Sequence, residues 1–137
     1  MQGSSASIEG LTVLLAEDNE LNMEIAEYIL TDAGAKVIRA YNGKEAFEIF
    51  KNSEPGGINV VLTDVSMPFT DGLEETRKIR LLDRADAKTV PIIAMTANLF
   101  DTDKKACADA GMTGFVPKPL NINELLCAIS KQASNRE

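Results

Sequence analysis

A chain of 137 residues, 45% of them hydrophobic, has the size of one globular domain with a real core. Its 14 basic and 21 acidic residues leave a net charge of −7, which argues against a broad nucleic-acid footprint or an anionic membrane surface as partner. The absence of histidine excludes a histidine nucleophile, a Ser-His-Asp triad and histidine metal ligands.

Residues 1–10 are small and polar and read as a disordered lead-in or an expression remnant, with the folded domain over 11–134. No secretory signal pattern opens the chain, and no apolar run approaches a membrane span. Residues 11–16 read as a strand that ends at Glu17 and Asp18. From Asn19 the apolar period becomes helical. Leu21, Ile25, Tyr28 and Ile29 make one stripe, and Gly34 is placed to cap the end. Residues 35–40 form a second short strand. Asn42, with Glu45 three residues on, is a capping pair that starts a helix whose buried side is Ala46, Phe47, Ile49 and Phe50. The run Glu54-Pro55-Gly56-Gly57 breaks it.

Residues 58–63 are a continuous apolar-rich run, the pattern of a strand covered on both faces, and they deliver Asp64. A turn with Pro68 follows, and Asp71 caps a helix with Leu73, Thr76, Ile79 and Arg80 on its inner side. Residues 90–95 are a fourth strand, ending at Thr96 and Ala97. Residues 99–110 form a weakly amphipathic helix, ended by Gly111. Gly114, Phe115 and Val116 make a short fifth strand before Pro117, Lys118 and Pro119. Asn121 and Glu124 cap a last helix with inner stripe Ile122, Leu125, Leu126 and Ile129. Cys107 and Cys127 lie in helical patterns without metal-type spacing and read as buried thiols in a reducing compartment.

Five βα units in a row imply an α/β fold with a parallel sheet and right-handed crossovers. They fit a flavodoxin-like five-stranded sheet of order 2-1-3-4-5 with helices on both faces. The fifth strand is then an edge that tolerates Pro117. The ligand cleft opens above the ends of strands one and three.

Strand one delivers Glu17 and Asp18 to that cleft, strand three Asp64, strand four Thr96 and strand five Lys118. Three carboxylates at one cleft repel each other unless a cation lies between them. Oxygen ligands without His or Cys favour a hard ion, Mg²⁺ foremost. Lys118 adds a compact positive charge and Thr96 a hydroxyl donor, which together describe a site for a tetrahedral anion beside Mg²⁺. Asp64 is then a candidate carboxylate nucleophile for a phosphoryl group. Taken singly, an acid after a strand is often only a helix cap. The argument rests on five groups falling at successive strand ends.

The runs Val13-Leu14-Leu15-Ala16-Glu17-Asp18-Asn19, Asp64-Val65-Ser66-Met67-Pro68 with Asp71-Gly72, Met95-Thr96-Ala97-Asn98 and Lys118-Pro119 resemble, in order and spacing, the receiver domain of response regulators in two-component signalling. The resemblance covers residues 11–131 and is similar in flavour to receivers of hybrid sensor histidine kinases. It implies that Asp64 is the phosphoacceptor. It also implies Mg²⁺ at Asp18, Asp64 and the Ser66 carbonyl, with Glu17 acting through water. Thr96, Ala97 and Lys118 would hold the phosphoryl oxygens, and the Lys118–Pro119 peptide would be cis. Thr96 and Phe115 would form a switch reading out on the face made by residues 99–110, 114–116 and 121–134.

The implied donor is a histidine kinase or a histidine phosphotransfer domain. The implied chemistry is the domain's own phosphorylation and dephosphorylation, not turnover of a metabolite. Direct contact with nucleic acid or membrane is not expected. A dimer formed on phosphorylation is among the implied states. The implied location is the cytoplasm, or the cytoplasmic part of a membrane-bound hybrid kinase, and the segment is either a single-domain regulator or a piece of a larger protein. The alternative is a phosphatase of the haloacid dehalogenase type with Asp64 as nucleophile. Such an enzyme wants a second Asp two residues later as general acid, where this chain has Ser66.

Overall fold

The computed structural model describes residues 8–64, 72–96, 101–118 and 120–134. The elements are β1 (Thr12–Ala16), α1 (Glu20–Asp32), β2 (Lys36–Ala40), α2 (Gly43–Asn52), β3 (Val60–Asp64), α3 (Gly72–Arg80), α4 (Ala85–Thr89), β4 (Ile92–Thr96), α5 (Asp101–Ala110), β5 (Gly114–Pro117) and α6 (Ile122–Ser134). All strand pairs are parallel, in the order β2-β1-β3-β4-β5. This is the expected flavodoxin-like arrangement, with Pro117 on the edge strand.

Every residue of β3 and β4 is buried. On one face Val13, Leu15, Val60, Leu62, Ile93 and Met95 pack with Met23, Ala26 and Leu30 of α1 and Leu125 and Ile129 of α6. On the other, Leu14, Val61, Ile92 and Ala94 pack with Ala46 and Phe50 of α2, Ile79 of α3 and Cys107 of α5. Each buried Val, Leu, Ile, Met or Phe among them stabilises the fold by about 1.5–3 kcal/mol. Continuous apolar strands are the ones that need cover on both sides.

The helix starts follow from their caps. Asn19 Oδ1 accepts the Asn22 N–H at 2.9 Å, Asn42 Oδ1 the Glu45 N–H at 2.8 Å, and Asn121 Oδ1 the Glu124 N–H at 3.0 Å. Glu45 reaches back to accept the Tyr41 N–H at 2.8 Å, one residue before the cap. Asp71 lies outside the described residues.

The buried stripe of α1 differs from the sequence expectation. Met23, Ala26, Ile29 and Leu30 face the core, while Leu21, Ile25 and Tyr28 are 64%, 46% and 68% exposed. Ile122, expected on the inner stripe of α6, is 54% exposed, and Cys127 is exposed while Cys107 is buried. The fold also begins before residue 11. Ile8 is buried in the α1 side of the core, and the Gly10 N–H donates to Gly34 O at 2.9 Å.

The five-residue helix α4 was not among the elements expected from the sequence. Arg84 precedes it and donates to Phe50 O and Ser53 O at the end of α2, and to Asp86. Arg80 closes α3 by donating to Ala87 O at 3.0 Å and to Gly111 O at 2.7 Å. Gly111 has φ +110°, and a Cβ there would stand 2.9 Å from Arg80 Cγ, so this close approach requires glycine. Among the described residues no helix is long and apolar enough to cross a membrane.

Candidate functional site

Strand register brings the site together. Ala16 pairs with Thr63, Asp64 with Met95, and Thr96 with Pro117, so the carboxyl ends of β1, β3, β4 and β5 lie at one rim. The ladder continues one step beyond two of these strands. The Glu17 N–H donates to Ala40 O at 3.0 Å, and the Lys118 N–H to Thr96 O at 2.9 Å. These bonds fix the backbones of Glu17 and Lys118 at the rim.

Glu17, Asp64 and Thr96 are buried and Asp18 is exposed. Glu17, Asp18 and Asp64 each offer a carboxylate oxygen, all within 4.8 Å of one another. Lys118 Nζ donates to Asp64 Oδ2 at 2.8 Å and to Glu17 Oε1 at 3.1 Å. The Asn19 N–H donates to Glu17 Oε2 at 3.2 Å. Thr96 follows Met95, the register partner of Asp64. Phe115 is half-buried, beside the cluster on the α2–α3 side of the sheet. Ser66, Ala97 and Pro119, and with Pro119 the Lys118–Pro119 peptide, lie outside the described residues.

Burial pushes the Glu17 carboxyl up, and the Asp64 charge adds to this, against the Asn19 N–H and Lys118, which pull it down. Burial alone would lower the Lys118 ammonium. Its hydrogen bonds to Asp64 and Glu17, with their charges, outweigh burial and hold it above its ordinary value. Counted as ionised, three carboxylates against one ammonium leave two negative charges, the complement of a divalent cation. The oxygen-only donor set fits a hard one, Mg²⁺ before Zn²⁺.

Two features escaped the sequence reading. One is a shallow groove of about 430 Å³ beside α1, lined by Leu21, Ile25, Tyr28, Leu120 and Ile122 among others. The other is a buried polar pair behind β3, in which Thr63 Oγ1 donates to Glu75 Oε1 at 2.8 Å. The first has a sequence signal, since α1 carries two apolar stripes and can bury only one. The signal for the second is a threonine inside an apolar run.

A sequence model of the response regulator receiver domain matches residues 13–130. Hybrid signal transduction histidine kinase I of Dictyostelium discoideum is 34% identical over 122 residues, which are 88% of this chain and 7% of that protein. The aerobic respiration control sensor protein ArcB of Escherichia coli K12 is 38% identical over 125 residues, 90% of this chain and 15% of that protein. Among solved structures, the receiver domain of a Pseudomonas aeruginosa PAO1 sensor histidine kinase, described with a magnesium ion coordinated in its active site cleft, matches with a TM-score of 0.82 at 31% identity. That match covers 91% of this chain and 98% of the other. Chemotaxis protein CheY4 of Vibrio cholerae matches with a TM-score of 0.81 at 27% identity, over 88% of this chain and 97% of that one.

The chain belongs to the response regulator receiver domain family, the phosphoacceptor modules of two-component signalling. It spans only a small part of either of these two longer proteins. The haloacid dehalogenase alternative gains no support from these matches.

Proposed function

We propose that Asp64 is the phosphoacceptor and takes a phosphoryl group from a phosphohistidine of a histidine kinase or a histidine phosphotransfer domain. The observation that carries this reading is the Asp64 carboxylate at the end of β3, 2.8 Å from Lys118 Nζ and within 4.8 Å of the two other acids. An Asp64 oxygen attacks phosphorus, and the new P–O bond forms as the P–N bond breaks. The electron pair of that bond stays with the donor imidazole, which picks up a proton. Lys118 and the Thr96 hydroxyl, with the Ala97 backbone, hold the phosphoryl oxygens. Glu17, Asp18, Asp64 and the Ser66 carbonyl would hold Mg²⁺, which supplies charge neutralisation at those oxygens when bound. The chemistry is confined to the domain's own phosphorylation and hydrolysis.

Asp18 is exposed, whereas Glu17 already accepts from Lys118 and Asn19. Asp18→Asn is therefore expected to weaken Mg²⁺ by on the order of tenfold or more, and Glu17→Gln by less. Mg²⁺ titrations followed by thermal shift read this. Unchanged affinity in Asp18→Asn would remove Asp18 from the ligand set.

The groove along α1 supports a protein donor. Leu21 opens the helix that follows Asp18, so the apolar face starts beside the mouth of the cleft. A donor resting its own apolar surface there would bring its phosphohistidine over Asp64. Exposed large apolar residues grouped on one face mark such contacts. Ile25→Lys with Tyr28→Lys is expected to slow transfer from a phosphorylated protein donor by at least about tenfold, since contacts at the centre of an interface carry most of its energy. Uptake from acetyl phosphate should stay at the wild-type rate. Equal loss with both donors would mean damage to the site, and no loss with the protein donor would remove the groove from the reading.

The output surface of this reading is the face of α5, β5 and α6. Thr96 drawn toward the phosphoryl group leaves room into which Phe115 turns, and a dimer on this face is one way to read the change out. The reading places the domain in the cytoplasm, free or as the cytoplasmic part of a membrane-bound kinase, where Cys107 and Cys127 stay reduced.

A further inference from the structure

Asp64 is the last residue of β3. It pairs with Met95 of β4, while on the β1 side the register ends one residue earlier, at Ala16 with Thr63. A side-chain contact lies behind the sheet, at the residue before Asp64. Thr63 and Glu75 have no exposed surface, and Thr63 Oγ1 donates to Glu75 Oε1 at 2.8 Å. The same hydroxyl lies 3.4 Å from Asp64 O. Glu75 stands in the first turn of α3, on the face that also buries Thr76 and Ile79. A carboxyl removed from water is costly unless it is hydrogen-bonded, and a well-packed apolar pair in its place is often as stable or more so. Stability alone is therefore a poor reason for this pair.

We propose that Glu75 is a positioning residue for phosphoryl uptake: through Thr63 it fixes the end of β3, and so the direction in which the Asp64 carboxylate meets Lys118 and the incoming phosphorus. The inference rests on Asp64 being the acceptor. Glu75 lies behind the sheet, and its hydrogen bond with the Thr63 hydroxyl is the link through which it acts. Small displacements of a nucleophile have large rate effects because the reacting atoms must align.

The test uses Thr63→Val, Glu75→Leu, Glu75→Gln and the double variant Thr63→Val/Glu75→Leu, phosphorylated by acetyl phosphate with Mg²⁺ in parallel with wild type. Thr63→Val and Glu75→Leu are each expected to slow uptake by on the order of tenfold, with Glu75→Gln, which keeps an acceptor oxygen, within about twofold of wild type. The double variant should be no slower than the slower single one, as two halves of one contact require. In the metal-free protein the Asp64 amide resonance should move in Thr63→Val and Glu75→Leu and stay in place in Glu75→Gln. Wild-type rates and an unmoved Asp64 resonance in folded Thr63→Val and Glu75→Leu overturn the proposal, as does an equal loss in Glu75→Gln. If Glu75→Leu does not fold, Thr63→Val carries the test. A wild-type domain that takes up no phosphoryl group would count against Asp64 as acceptor, and the amide shifts would still decide the role of Glu75.

Discussion

Asp64→Ala is expected to abolish phosphoryl uptake. Asp18 and Glu17 also offer carboxylate oxygens at the cleft, so the result depends on which acid is aimed for attack. Asp18 is exposed and Glu17 is tied to Lys118 and Asn19. Asp64 ends the central strand and stands nearest the lysine, with Oδ2 at 2.8 Å. Its nearest cation is thus placed to meet charge that leaves the carboxylate for the phosphoryl oxygens. Loss of a nucleophile removes several orders of magnitude of rate, because the remaining groups have nothing to deliver. Labelling with a small-molecule phosphodonor and Mg²⁺ should give one phosphoryl group per wild-type chain, released by hydroxylamine as an acyl phosphate is. Label retained in Asp64→Ala would mean that another acid is the acceptor.

Lys118→Ala is expected to have the second largest effect, in two readouts with different causes. Uptake should fall by on the order of 10²–10³, the usual loss when one fixed group that stabilises developing charge is removed. Stability should fall as well. Lys118 lies between two buried carboxylates, and its removal leaves Glu17 and Asp64 facing each other without a protein cation between them. A divalent cation relieves the same repulsion, so Mg²⁺ should recover more of the thermal midpoint in Lys118→Ala than it adds to wild type. A midpoint insensitive to both substitution and Mg²⁺ would mean that the lysine does not neutralise the pair. Lys118→Arg separates charge from shape: it should recover stability better than rate, because a planar guanidinium does not replace a compact ammonium at a tight site.

The topology and the site were legible in the sequence because both rest on strand ends. An apolar run such as residues 60–62, set among helical segments, fits a strand covered on both faces, and the residue after each run is then delivered to one rim. That reasoning needs the element order and little else, and it brought Glu17, Asp18, Asp64 and Lys118 together. Helix faces were harder. Positions 21, 25 and 28 and positions 23, 26 and 30 all follow a helical period, and periodicity cannot choose between two apolar stripes on α1. The choice is made by packing against β1 and α6, which is tertiary information. Glu75 was unreadable for a related reason, since a glutamate on an amphipathic helix is ordinarily solvated, and its burial opposite Thr63 is tertiary information. The helix α4 was missed because five residues are too few to show a period.

The Arg80 clamp has a mechanical consequence. It fastens the carboxyl end of α5 to α3, through the Gly111 carbonyl, while the amino end of α5 lies on the side of the chain that leads from Thr96. A rod fastened at one end does not slide when the other is pulled; it swings. With ten residues α5 is about 15 Å long. A pull at the Thr96 end would thus sweep the outward side of α5 through an arc that is widest near the cleft and vanishes at Gly111. The fulcrum is a glycine that the close approach of Arg80 requires, and softening it with Arg80→Lys would let the helix translate instead of pivot.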